Sequence, residues 1–378
     1  MPSIESETLL APPAAGRAPP PRARGPRAWL RANLFASGWS TAATVVFGAA
    51  LLRVLPAAIR WLFTDAVYAP DYQACRRLEY HAACWGFVAE KHRLILFGRY
   101  PYDAQWRPLA AVLLVIGMLA VTAHPRAWRR WLVPAWAVVL GAFLLLMGGG
   151  ALGLPRVEAG VWGGLPLTVL LTLAGMSASI PLGIVLALAR RSQLPLARVA
   201  SSLYIEMVRG VPLITVLFVA SFVFPLVLPP GLRLDALARI AIGITLFQAA
   251  YMAEVVRGGL QGLPRGQHEA AASLGLSWWQ AQRKVILPQA LVLVIPSFVN
   301  SLLSTFMDTS LVTVVSMYDL TGALRLALGD PQWRNFFLEG YLFVAALYFV
   351  SCLTMSRYSA WLERRLGAWA RRPRAFRA

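Results

Sequence analysis

Lysine is nearly missing from this chain: of the 36 basic residues among 378, only Lys91 and Lys284 are lysines. Charge of either sign is scarce, at 14% of residues against 58% hydrophobic, and the acidic residues number only 17. A soluble domain carries roughly 25% charged residues, so this chain has too few polar side chains to cover a folded surface in water. A soluble single-chain enzyme is all but excluded. Three cysteines are too few for a disulfide scaffold. Cys352 lies in an apolar run and reads as a buried, inert thiol. Cys75 and Cys84 share one polar segment, and they can pair if it faces an oxidising compartment. Spacing alone leaves that bridge open. A phosphate-cradling loop needs Lys followed by Ser or Thr, whereas Lys91 precedes His92 and Lys284 precedes Val285. GxSxG and HExxH are absent, and His81, His92, His124 and His268 lack metal-site spacing. No catalytic residue and no metal ligand is therefore expected. A short apolar core ahead of a cleavage site is also not evident, so no cleaved signal peptide is expected.

What is present is long apolar runs. Crossing a bilayer takes roughly 20 helical residues, and apolar stretches fall near 34–62, 108–123, 131–147, 162–189, 203–227, 236–256, 286–306 and 335–357. An all-α, multi-span membrane protein with about eight spans is expected. Residues 1–33, rich in Pro, Ala and Arg, read as a disordered basic arm. The net charge of +19 first suggests a polyanion partner, but its placement is sided. With the N-terminus in the cytoplasm, 22 basic residues fall in cytoplasmic segments and 10 on the other side. The segment 64–105 balances five bases with Asp65, Asp71, Glu79, Glu90 and Asp103. Both termini are then cytoplasmic. Anionic membrane lipid accounts for the basic ends, and no nucleic-acid-binding module occurs, so no nucleic acid is expected as a partner.

The segment 257–288, RGGLQGLPRGQHEAAASLGLSWWQAQRKVILP, lies between two apolar runs on the arginine-rich side. Gly258, Gly259, Gly262, Pro264 and Gly266 are expected to break a continuous helix. Gln267 to Leu274 is expected as a short helix, with Gly275 in a left-handed turn and Ser277 capping a second short helix. The bland reading is a solvated loop; the sharper one is a stiff docking knob. Glu269-Ala270-Ala271, then Gly275, then Val285-Ile286-Leu287-Pro288 resembles the EAA loop of ABC importer membrane subunits, with Val285 where that family usually has Ile. The resemblance implies that Glu269, Ala270, Ala271, Gly275, Val285, Leu287 and Pro288 couple the chain to a cytoplasmic ATP-binding subunit.

Neighbouring segments narrow this further. Tyr204-Ile205-Glu206-Met207-Val208-Arg209-Gly210-Val211-Pro212 and Tyr251-Met252-Ala253-Glu254-Val255-Val256-Arg257-Gly258-Gly259 resemble segments of polar amino-acid importers, as does Asp308-Thr309-Ser310-Leu311. Met307 stands where those proteins commonly carry Lys. Within 64–108, Cys75-Arg76, Ala83-Cys84-Trp85, Leu96-Phe97-Gly98 and Gln105-Trp106-Arg107-Pro108 are similar to an outer loop of the larger general L-amino-acid permease subunits. The resemblance implies three extra N-terminal spans over 34–150 with a periplasmic loop 64–105. It also implies a five-span type I importer core over 160–366 with its coupling loop at 257–288, and a basic cytoplasmic tail at 367–378. It implies a binding-protein-dependent L-amino-acid importer of the bacterial inner membrane, multi-pass. Its partners would be an ATP-binding subunit, a second similar permease subunit and a periplasmic amino-acid-binding protein. No cofactor would be bound by this chain, ATP and Mg lying on the partner. Opines or polyamines as cargo, or an ion-coupled secondary carrier, are the alternatives.

Glu206 and Arg209 are three apart, as are Glu254 and Arg257, so on helices each pair shares a face and can neutralise itself. Paired charges locking helix ends are the plain reading; contact with a zwitterionic substrate is the functional one. With Gly210, Pro212, Thr309 and Ser310 these residues are the pathway candidates. Thr168, Thr172, Ser177, Ser179, Thr215, Gln248, Asn300, Ser301, Ser304 and Thr305 are polar residues in apolar runs, where helix–helix hydrogen bonding serves equally well.

Overall fold

The computed structural model describes residues 25–78, 81–229 and 234–370. Among these the secondary structure is helical, apart from two isolated β-bridges, Val67 with Cys84 and Gly164 with Asp319. The chain divides into two units, one of Met1–Ala66 with Glu79–Ala83 and the other of Val67–Leu78 with Cys84–Ala378. In the first, α1 (Pro26–Asn33) and α2 (Gly38–Ile59) are followed by a π turn, Arg60–Thr64. Irregular chain was expected over all of 1–33; its last eight residues are instead helical, and residues 1–24 lie outside the described residues. Pro26 opens α1 because its fixed φ suits a first helical position. A reciprocal capping box between Ser37 and Ser40 opens α2.

The second unit contains α3 (Tyr72–Arg77), α4 (Gly86–Phe97), α5 (Trp106–Ala123), α6 (Leu132–Gly148), α7 (Gly164–Arg190) and α8 (Pro195–Arg209). Next come α9 (Leu213–Phe218), which passes through a π turn into α10 (Phe224–Val227), and α11 (Ala236–Gln261). Then α12 (Arg265–Ser273) precedes α13 (Trp278–Ala281), which runs through a π turn at Gln282–Ile286 into α14 (Leu287–Asp308). A 3-10 segment Thr309–Val315, α15 (Leu320–Ala327) and α16 (Phe337–Ala370) follow. Residues 371–378 of the expected basic tail lie outside the described residues.

Six helices among the described residues are long and apolar enough to cross a membrane: Gly38–Thr64, Tyr102–Ala123, Gly164–Arg190, Ala236–Gln261, Trp278–Val315 and Arg334–Arg365. The helix Leu132–Gly148 is apolar but has only 17 residues. The apolar run over 203–227, read as one span, is a pair, Pro195–Arg209 and Leu213–Val227, bent by 104°. Pro212 explains the bend: it drives Val211 out of the helical region and brings no N–H of its own.

The second unit is built on α7 and α11, its most extensive helix pair. Small residues let their backbones approach. A Cβ on Gly175 would lie 2.7 Å from Ile244 Cγ2, and one on Gly183 would overlap Met252. Leu167 and Leu171 of α7 pack with Ile240, Ile244 and Phe247 of α11 and with Leu213 and Leu217 beyond the bend. Nearer the other end of both helices, Ala187, Ala253, Val256 and Leu260 pack with Ile205, Ile286 and Ala290.

The bridge that spacing alone left open forms: Cys75 and Cys84 are disulfide-bonded, with their Cα atoms 5.5 Å apart. The two cysteines pack with Phe87 and Ile95 against Leu320, Leu324, Trp333 and Phe336. Glu339 accepts the Cys84 amide at 2.8 Å, and Lys91 pairs with Asp330 at 2.9 Å. The Lys91 ammonium donates to the Asp330 carboxyl and holds it below the ordinary carboxylate range. Arg107 is buried, donating to the carbonyls of Leu146 at 2.7 Å and Pro155 at 2.9 Å, so it satisfies the end of α6 and the turn beyond. Closing so short a loop stabilises by roughly 2–3 kcal/mol. Replacing both cysteines with serine is therefore expected to loosen α3 and α4 by about that amount, read as faster amide exchange over 67–97 with exchange in α7 and α11 unchanged.

Candidate coupling loop and translocation cavity

The loop expected to dock a partner begins later than its glycines suggested. The helix α11 continues through Gly258 and Gly259 to Gln261, and Gly259 serves packing instead of breaking the helix. A Cβ there would lie 2.8 Å from Ala290 O on α14. The break falls at Gly262 to Pro264, and Pro264, extended at φ −58° and ψ 138°, caps α12. The helix closes by a Schellman motif: Leu276 N–H donates to Ala271 O at 3.2 Å and Gly275 N–H to Ala272 O at 2.9 Å. This requires Gly275 in the left-handed region, at φ +69°. Ser277 and Gln280 then form a capping box, as expected of Ser277. The second short helix is not separate, however. It is the first turn of a helix that continues into α14, because the π turn at Gln282–Ile286 absorbs one residue without ending it.

Burial sorts the motif residues. Ala271 is 2% exposed, so a larger side chain there meets the body. Glu269 and Ala270 are exposed, as are the apolar Leu274 and Trp279. Val285 and Leu287 pack at the edge of the cluster that buries Ile286, while Pro288 is exposed in the first turn of α14. Gln289 donates to Gln267 at 3.0 Å and ties α12 to α14.

Beside that cluster lies a network of charges. The Glu254 carboxylate takes Arg257 through both Nε (2.8 Å) and Nη2 (2.6 Å) and Arg190 Nη1 at 2.6 Å. The i,i+3 pairing of Glu254 with Arg257 is thus present. The pairing of Glu206 with Arg209 is not: Arg190 Nη2 takes Glu206 at 2.9 Å, and Arg209 reaches only to Glu254, at 3.7 Å. Helical proximity permits the local pair, but Arg190, at the end of α7, reaches both carboxylates at once and outcompetes it. Arg209 rests over the Tyr251 ring, its guanidinium carbon 5.6 Å from the centroid.

A cavity of about 670 Å³ opens at the bend, lined by Arg209, Gly210, Val211, Pro212 and Leu213, by Phe247, Gln248 and Tyr251 of α11, and by Asn300, Ser301, Ser304, Asp308 and Leu311. Of the expected pathway residues it gathers Arg209, Gly210, Pro212, Gln248, Asn300, Ser301 and Ser304. It leaves out Glu206, Glu254, Arg257, Thr309 and Ser310. Thr168, Thr172, Ser179 and Thr305 are buried and donate to carbonyls of their own helices, as does Thr309 to Phe306. Sequence reasoning missed Arg190 and Asp319, and it quoted Asp308 in a resemblance without making it a pathway candidate. Asp319 is fully buried, accepting the Gly322 amide at 2.8 Å, the Thr313 hydroxyl at 2.9 Å and the Tyr348 hydroxyl at 3.1 Å. Burial holds its carboxyl above the ordinary range, against those donors. Its position as an N-cap before Leu320 was a signal available in the sequence.

A helical, multi-span chain with a polar cavity at a broken helix and a projecting helix between two spans belongs to the class of membrane translocation subunits. The family of binding-protein-dependent transport system inner membrane components matches residues 179–368. The inner membrane amino-acid ABC transporter permease protein YhdY of Escherichia coli is 43% identical over 344 residues, covering 89% of this chain and 92% of that protein. The glutamate/glutamine/aspartate/asparagine transport system permease protein BztC of Rhodobacter capsulatus is 36% identical over 403 residues, covering 89% and 93%. A crystal structure of an amino acid ABC transporter with histidines aligns with 53% of this chain and 92% of its own, at 31% identity and a TM-score of 0.49. This chain belongs to the family of binding-protein-dependent transport system inner membrane components. It is a multi-pass inner membrane protein and a translocation subunit, working with ATP-binding and substrate-binding partners.

Removing one partner of an ion pair costs more the less the pair is exposed to water. Glu254→Gln, which deprives Arg257 of its carboxylate and leaves Arg190 only the exposed Glu206, is therefore expected to lower the thermal midpoint in detergent further than Glu206→Gln does. Equal midpoints would show that the Glu254 network does not hold the helices together.

Proposed function

We propose that this chain is a permease subunit of an ATP-driven, binding-protein-dependent importer that carries L-amino acids across the inner membrane. The observation that carries the reading is α12 with its Gly275 closure, a short stiff helix tied to both α11 and α14 that exposes Glu269, Ala270 and the apolar Leu274 and Trp279. A cytoplasmic ATP-binding subunit seats on it, with Ala271, Val285, Leu287 and Pro288 holding its base. ATP and Mg belong to that partner; this chain binds no cofactor. A second, similar permease subunit completes the path, and a periplasmic amino-acid-binding protein delivers cargo.

Sidedness follows from charge and from the disulfide. The bridge Cys75–Cys84 suits an oxidising compartment, which supports the segment 64–105 lying outside and both termini inside, as does the excess of arginine on the opposite segments. Eight spans result when the bent pair and the 17-residue helix Leu132–Gly148 are each counted as one.

The cavity favours zwitterionic cargo. Among the described residues the Arg209 side chain donates no hydrogen bond and the Asp308 side chain makes neither hydrogen bond nor ion pair, yet both line the same space with Gln248, Asn300, Ser301 and Ser304. A free carboxylate and a free ammonium match that set. Polyamines, lacking a carboxylate, leave Arg209 unanswered; opines retain one. The names of the relatives, which specify amino acids in both cases, point the same way.

Two measurements on proteoliposomes holding the assembled complex test this. L-amino acids presented with the binding protein are expected to stimulate ATP hydrolysis where polyamines do not, and stimulation by polyamines alone would overturn the cargo class. Gly275→Val places a β-branched residue at φ +69°, at a cost of roughly 1–2 kcal/mol. It is expected to cut cargo-stimulated transport at least about tenfold, the effect of some 1.4 kcal/mol, while membrane insertion is retained. Transport at the wild-type rate would remove the coupling assignment.

A further inference from the structure

We propose that Arg209 is a carboxylate-operated relay: cargo in the cavity draws it off Glu254, and the released Glu254 reports occupancy along α11 to the coupling helix. The inference rests on the cavity being the cargo path. Three observations carry it.

The first is charge. The network holds three arginines, Arg190, Arg209 and Arg257, against two carboxylates, Glu206 and Glu254. One positive charge is left over among these five side chains, and it falls to Arg209, whose side chain is 41% exposed and lines the cavity. The second is geometry. Both oxygens of Glu254 are already engaged at hydrogen-bond distance by Arg190 and Arg257, so Arg209 at 3.7 Å is held by attraction alone. A carboxylate arriving in the cavity can offer it charge-assisted hydrogen bonds, which close to about 2.7–2.9 Å and are much the stronger. The exchange gives Arg209 a short-range anionic partner, and its guanidinium carbon starts 5.6 Å from the centroid of the Tyr251 ring, which also lines the cavity.

The third is connectivity. Arg209 is the last residue of α8, next to the bend at Gly210–Pro212, so its displacement acts where the chain is jointed. Tyr204 of α8 also donates to the Leu246 carbonyl of α11 at 2.6 Å, tying the two helices one turn and more away from that joint. Glu254 lies seven residues, about 10 Å of helix, before the last residue of α11, Gln261, and α12 begins four residues beyond that. Its neighbours Ala253 and Val256 sit in the same packed cluster as Ile286 and Ala290, which carry the coupling loop's far side. A change in the charge around Glu254 therefore reaches both ends of that loop through close-packed side chains.

The test uses the complete complex in proteoliposomes and an equimolar mixture of the common L-amino acids, against the matching mixture of their decarboxylated amines. Binding to the membrane complex is followed by calorimetry, and ATP hydrolysis is followed with and without cargo. Arg209→Gln is expected to weaken amino-acid binding at least about tenfold, to raise hydrolysis in the absence of cargo several-fold, and to abolish further stimulation. Arg209→Lys, which keeps the charge but loses the planar fork, is expected to fall between. In the wild type the amine mixture is expected to leave hydrolysis at its basal rate. If Arg209→Gln binds amino acids as the wild type does, the cavity reading fails and the relay with it. If binding is lost while basal hydrolysis stays at the wild-type level, the cavity reading stands and the relay alone is overturned.

Discussion

One end of the α7 and α11 pair is arranged around a carboxylate that is largely removed from water. Glu254 sits on α11 with 15% of its side chain exposed, and its charge is tolerable there only because two arginines supply three short hydrogen bonds. Meeting that requirement brings the end of α7, through Arg190, onto α11, and the same arginine then captures Glu206 and so fixes α8. The glycines at 175 and 183 make the approach possible by letting the α7 and α11 backbones close, and the electrostatic contact determines where along the pair they lock. Three helices thus share one charged node, and the bend at Pro212 lies one turn from it.

How far the sequence disclosed this arrangement depended on the range of each interaction. Hydropathy located every long helix, because a bilayer demands a minimum apolar length irrespective of what packs beside it. The closure of α12 was legible too, since a Schellman motif and a capping box are set by residues within six positions of one another. The Arg257–Glu254 pair was visible for the same reason. Arg190 was not: it is 64 residues from Glu254, and only the packing of α7 on α11 makes them neighbours. Local spacing therefore assigned Arg209 to Glu206, a pairing that the nearer guanidinium displaced. Gly258 and Gly259 misled in a related way. A glycine read as a helix breaker is a packing device when another backbone passes as close as Ala290 does.

The polar residues divide along a physical line that the sequence alone did not mark. A hydroxyl on a buried helix face can satisfy itself on the carbonyl one turn back, and Thr168, Thr172 and Thr305 do so. A carboxamide or a charge has more hydrogen-bonding capacity than one carbonyl can meet. Gln248, Asn300, Arg209 and Asp308 are thereby the side chains that need a wet or occupied space, and they are the ones that share a cavity. Hydrogen-bonding capacity sorts pathway residues from packing residues better than polarity does.

The same reasoning separates the disulfide-bearing segment from the transport core. There most polar groups are answered by fixed partners: Glu339 by the Cys84 amide, half-buried Asp330 by Lys91, and Arg107 by two carbonyls, although its second terminal nitrogen stays unpaired. Cross-links of this kind resist rearrangement, since each group moved would have to be dehydrated without a partner. The network around Arg209 has the contrary property, one more cation than its anions can hold at short range. A protein that must alternate between two states needs a rigid part and a part whose bonding is incomplete. In this chain the division follows the count of charges: closed around α15 and the end of α6, and open at the bend that faces the cavity.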